Sequence, residues 1–179
     1  METLKFIEQS LNESDERLVK SFLGLSPDEL VWRPALHANS IAEIAYHVAR
    51  VEDRMTSRIG GETALWESQK WYLRFDYPQD QPMATDFQIL RDLGLGPPKM
   101  DDLQAYIGAL HQNTLDKLHS LSSEDLDHAH NPSNPDRTVA LSFRHLIVHT
   151  NHHHGQLDFV RGLMQPDWGL PTGTGMVQP

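Results

Sequence analysis

The stretch Asn39-Ser40-Ile41-Ala42-Glu43-Ile44-Ala45-Tyr46-His47-Val48-Ala49-Arg50-Val51-Glu52-Asp53 decides the fold. Ser40 and Glu43 stand three apart, the spacing at which each side chain satisfies the other's backbone N–H at a helix start. From there Ile41, Ile44, Ala45, Val48, Val51 and Met55 recur at helical intervals, predicting a helix that runs to about Ile59. Its apolar residues share one face, which has to be buried against something else.

The same period appears on both sides of this segment. Leu4, Phe6, Ile7, Leu11, Leu18, Val19, Phe22 and Leu23 predict a helix over 4–23, with a polar interruption at Glu13 to Glu16. Leu103, Tyr106, Ile107, Leu110, Leu115 and Leu118 predict another over 101–120. A last helix is expected from about Val139 to Met164, where Pro166 stops it. Two short turns punctuate these helices, Leu25 to Leu30 with Ser26 capping Pro27, and Leu121 to Leu126. Arg33-Pro34 and the run Pro132 to Pro135 break the periodicity. No strand-like alternation occurs, so the expected fold is all-α, a four-helix bundle in which each long helix buries its one apolar face. Residues 60–99 form a long excursion between helices, rich in Gly and Pro and carrying Trp66, Trp71, Tyr72 and Phe75. Short helices near 63–70 and 84–92 are expected there, with the aromatic residues plugging the bundle's end; a loop of this length is also a common place for function.

Composition bounds the function. At 179 residues, 39% hydrophobic and 22% charged, the chain has the size and make-up of one globular domain over 1–179, ending in an irregular tail at 165–179. A net charge of -10 leaves no basic stripe for nucleic acid. The N-terminus is charged from Glu2 onward, and no apolar run is long enough for a signal core or a membrane span, so a cytoplasmic protein is expected. With no cysteine, any metal site has to use imidazole, carboxylate or water.

Imidazole is abundant where it counts. Five of the 11 histidines lie between Phe143 and Gln156. Helical residues four apart sit about 5–6 Å apart at Cβ, close enough for two imidazoles to reach one ion, and His145, His149 and His153 share that spacing. His152 and His154 are rotated about 100° to either side of His153 and cannot serve the same ion. A helix pair supplies two ligands, so a third has to come from elsewhere. His47 lies on the stripe of Ile44 and Val51 and points into the bundle; it is read either as that third ligand or as a hydrogen-bonded core residue. His37, His111, His119, His128 and His130 lack such partners and read as surface residues.

Two segments together resemble a known family. Gly24-Leu-Ser-Pro-Asp-Glu-Leu-Val-Trp-Arg-Pro34 followed by Asn39 to Asp53, and the closing His149-Thr-Asn-His-His153-His-Gly155-Gln156, are similar to the DinB/YfiT-like family of damage-inducible helical metalloenzymes over roughly residues 1–165. The resemblance implies an up-down-down-up four-helix bundle, commonly a homodimer, with a divalent metal held by His47, His149 and His153. His154 stands where the family commonly has Arg. Relatives include metal-dependent transferases that use low-molecular-weight thiols such as bacillithiol or mycothiol, and a mycothiol-dependent maleylpyruvate isomerase. The expected function is therefore a thiol transferase acting on a small-molecule substrate, with zinc as the ion and nickel close behind. A bound ion would lower the pKa of the cofactor thiol. Two alternatives stand beside it. One is a metal-dependent hydrolase on the same site, with Glu43 or another carboxylate as base. The other is a non-catalytic metal-binding stress module, for which His145 would be a closing fourth ligand. Glu43 is also placed to orient the His47 ring, or simply to cap with Ser40, and Gln156 to line the pocket or to bond toward the neighbouring helix.

Overall fold

The computed structural model of the chain describes residues 2–80, 91, 93–130 and 134–168. Among these, the long helices are α1 (Thr3–Phe22), α3 (Ile41–Gly60), α6 (Met100–His119) and α7 (Val139–Met164), each within about a residue of the predicted bounds. Three short helices join them: α2 (Pro27–Val31), α4 (Leu65–Ser68) and α5 (Trp71–Phe75). The predicted turn at 121–126 runs into a 3₁₀ turn, Asp125–Asp127. No strand forms among the described residues; the sole β feature is an isolated bridge between Ala129 and Thr138. The helix expected near 84–92 lies, Arg91 aside, outside the described residues.

Local chemistry sets the helix ends. Ser40 Oγ accepts from Glu43 N–H at 3.3 Å and Glu43 Oε2 accepts from Ser40 N–H at 2.7 Å, the reciprocal cap expected for α3. Ser26 and Glu29 repeat the arrangement on α2, with Pro27 in the first helical position. Gly61 ends α3 in a left-handed conformation at φ 64°, which costs glycine nothing. Thr138 caps α7 by accepting from Leu141 N–H.

The four long helices close a ring: α1 and α3 each pack against both α6 and α7. Their interior divides into two apolar clusters. One gathers Leu18, Phe22, Ile44, Trp66, Tyr106 and Leu157; the other gathers Ile7, Leu11, Met55, Leu118, Phe143 and Leu146. Chain order puts a polar belt between them. In that belt His111 meets Asn12 Oδ1 at 2.8 Å and Asp15 at 3.9 Å. Thr114 Oγ1 donates to Glu52 Oε1 at 2.7 Å and lies 2.9 Å from Thr56 Oγ1, while Asn151 Nδ2 donates to Ser14 Oγ at 2.8 Å. Burial, with the charges of Asp15 and Asp53, pushes the Glu52 carboxyl up to about 7, against the Thr114 hydrogen bond that lowers it. His111 is thus a half-buried member of this belt rather than the surface residue its sequence position suggested. Spacing alone does not reveal that α1 carries Asn12 and Asp15 opposite it.

Among the described residues of the 60–99 excursion, Trp66, Phe75 and Tyr77 belong to the first cluster, and Trp71 and Tyr72 pack against it. Trp66 is 0% exposed and packs on Tyr46, Phe75, Tyr77 and Tyr106. Asp53 ties this segment to α3, its carboxylate accepting from Leu65 N–H at 2.7 Å and Trp66 N–H at 2.8 Å. The Arg50 guanidinium lies 4.0 Å over the Trp66 ring. No helix of the described residues is long and apolar enough to cross a membrane.

Candidate metal centre

At the level of the polar belt, α3 and α7 bring His47, His149 and His153 together. His47 is 9% exposed and the other two are half-buried. Their ring centroids are 5.1 Å (47–149), 4.8 Å (47–153) and 4.4 Å (149–153) apart. One nitrogen from each lies within 4.8 Å of the others, and this is the group of ligand-type side chains among the described residues that can hold a metal ion. Tetrahedral coordination at about 2.05 Å separates ligand nitrogens by roughly 3.3 Å. His47 Nε2 and His149 Nε2 are 3.2 Å apart, already close to that spacing.

The rings are electrically suited to a cation. Burial, followed by the mutual repulsion of His153, His47, His145 and His152, pushes His149 down to about 3. His153 is also lowered, chiefly by burial, against a hydrogen bond that it donates to Gln156 and that acts the other way. Both are therefore neutral at pH 7, the form that offers a lone pair to a metal. Gln156 settles which nitrogen of His153 does so. Its Oε1 lies 2.8 Å from His153 Nδ1; with the amide oxygen as acceptor, Nδ1 carries the proton and Nε2 is left as the ligand atom.

The other candidates fall elsewhere. His145 stacks on His149 at 5.6 Å and 23° but is exposed and outside the group of three, so no fourth ligand closes the site from that side. His152 packs edge-on against His153 and approaches Gln156 Nε2 at 3.4 Å. His154, where Arg is common in the family resembled, pairs with Asp158 at 3.1 Å. Asp158 also accepts from Ser21 Oγ and Trp168 Nε1, so His154 belongs to a seam that joins α7 to α1. Glu43 is buried with both oxygens engaged: Oε2 by Ser40 and Arg33 Nε, Oε1 by Arg33 Nη2 at 2.8 Å. It is a cap partner and the centre of an ion pair rather than an orienting group for His47, while on α7 the amide of Gln156 orients the ring of His153.

Beside the histidines opens a groove of about 400 Å³, walled by Pro34, Ala38, Ile44, Gln156, Phe159 and Val160. Gln156 and His152, which both touch His153, also line the groove and so join it to the site. Phe159 was not among the residues singled out from the sequence. Its one signal was its place three residues beyond Gln156, an exposed aromatic on the same helix.

The fold has solved counterparts. A crystal structure of a conserved protein from Enterococcus faecalis superimposes with a TM-score of 0.74 at 23% identity, covering 91% of this chain and 97% of that one. No curated protein matches the chain. The family model of the DinB superfamily matches residues 10–157, a span that includes His47, Gln156 and the His149–His153 pair, and the chain therefore belongs to the DinB superfamily.

Proposed function

We propose that this protein is a metal-dependent transferase that joins a low-molecular-weight thiol to a small electrophile. The observation carrying the proposal is the set of three imidazole nitrogens within 4.8 Å, contributed by two helices beside an apolar groove. A divalent ion held there, zinc or nickel, would supply Lewis acidity that lowers the pKa of the cofactor thiol. In the reaction an S–C bond forms from the thiol sulfur, the thiol proton passes to solvent, and the leaving group departs with its electron pair.

The chain's own residues divide the remaining work. His47, His149 and His153 hold the ion, Gln156 keeps His153 in the ligating tautomer, and Ile44 and Phe159 offer apolar surface to the electrophile. The hydrolase alternative needs a free carboxylate as base, and Glu43 is committed to Ser40 and Arg33. The test is turnover of a chromogenic alkyl or aryl halide by zinc- or nickel-loaded protein, with and without bacillithiol, mycothiol or glutathione. Metal-dependent product that forms only with a thiol is the expected result. Metal-dependent hydrolysis of ester substrates without thiol would overturn it.

Pairing of two chains belongs to the same proposal. Leu141, Val148, Phe159 and Leu163 stand exposed on α7. At 100° per residue they share one face of the helix. Light scattering of the purified protein is expected to return the mass of a dimer, shifted toward the monomer by Val148→Glu. A monomeric mass for the unaltered chain would remove this part of the proposal.

A further inference from the structure

Beyond the three histidines, the geometry points to a second binding site: a pocket that takes a small organic anion, a carboxylate or phosphate ester, between Arg58 and Arg137. The pocket holds about 470 Å³ and is walled by Met55, Ser57, Arg58, Glu62, His130 and Arg137. It lies beside the C-terminal end of α3. Met55 follows His47 by eight residues, about 12 Å along the helix axis, so the two sites are separate.

Cations are the minority on this chain, 15 Lys and Arg against 25 Asp and Glu, yet two guanidiniums share this one cavity. Among the described residues neither is within ion-pair distance of a carboxylate. Among the described residues the side chain of Arg137 makes one hydrogen bond, Nη2 to Met55 Sδ at 3.4 Å, a weak acceptor that leaves most of the guanidinium fork unspent. Glu62, the carboxylate in the wall, is held by Lys117 Nζ at 2.5 Å. The cations feel one another: Arg58 is lowered by burial and then by Arg54 and Arg137, and His130 by burial and then by Arg137 and Arg58. Such a cluster repels itself until an anion enters, and the planar fork of arginine matches the paired oxygens of a carboxylate or phosphate. The volume exceeds what a bare oxyanion fills and suits a small organic molecule carrying one.

Calorimetric titration of the full, chelator-treated chain with inorganic phosphate, phenyl phosphate and malate, at constant ionic strength, tests this. Saturable binding is expected, weakened about tenfold in Arg58→Gln and in Arg137→Gln, retained in part in Arg58→Lys, and unchanged in His47→Ala. The tighter of phenyl phosphate and malate identifies the anionic group. Melting curves of each variant establish that it is folded. Absence of saturable binding to any of the three anions would overturn the inference. So would equal binding in the folded glutamine variants, or loss in His47→Ala, which would assign the anion to the metal centre.

Discussion

Replacing any one of His47, His149 and His153 by Ala is expected to strip the protein of its divalent ion, because the two imidazoles that remain hold it too weakly to survive dialysis. Gln156→Leu is expected to retain the ion with affinity reduced about 10–100-fold, the usual cost of losing a group that orients a ligand. Elemental analysis of tag-free protein after zinc or nickel loading checks both. The contrast is informative because Gln156 meets His153 at its far nitrogen, not at the nitrogen that faces the other two histidines. Near-stoichiometric metal in the His149→Ala variant would rule out the three-nitrogen site. Acid adds a second reading of the same centre. His149 is at about 3 in the folded chain and at about 6.5 when unfolded, so between these values the unfolded chain binds more protons. Stability of the metal-free protein should therefore be full above pH 6.5 and decline as pH falls toward 3. His149→Ala should flatten that decline.

Asp53→Ala is expected to destabilise the fold by about 3–5 kcal/mol, the scale for removing one member of a buried charged network. Asp53 is 1% exposed. Its carboxylate accepts the backbone N–H groups of Leu65 and Trp66 and the Tyr106 hydroxyl at 2.6 Å, and faces Arg50 at 3.8 Å. The substitution therefore orphans a buried and a part-buried N–H donor and a hydroxyl, and leaves the buried Arg50 guanidinium without its counter-charge. Asp53→Asn preserves shape and a carbonyl acceptor and should lose less. Denaturant unfolding gives the values from midpoint and slope. A loss below about 1 kcal/mol for Asp53→Ala would mean that the 64–77 segment is not held through this residue.

The long helices were legible in the sequence because their determinants are local. Period 3.6 in Ile41 to Met55 and in Leu103 to Leu118, the Ser40–Glu43 cap, and Pro166 beyond the last helix all act within a few residues of one another. The same locality exposed the His149–His153 pair, since four residues is one turn of a helix. What no local pattern contains is the register between helices. His47 meets His149 across 102 residues of chain, and His111 meets Asn12 across 99. Sequence left Glu43 either to orient His47 or to cap with Ser40, and the ion pair with Arg33 lay outside any local pattern; Arg58 and Arg137 share a pocket only because α3 ends beside the segment that leads into α7. Asp53 reads as one more polar residue on a helix, yet it anchors the aromatic segment. Sequence by itself determined the helices and the His149–His153 pair within one of them, through backbone geometry and capping. Tertiary structure decided which third histidine joins them, which carboxylates are spent and where charge collects, because those depend on side chains brought together by packing faces far apart in the chain.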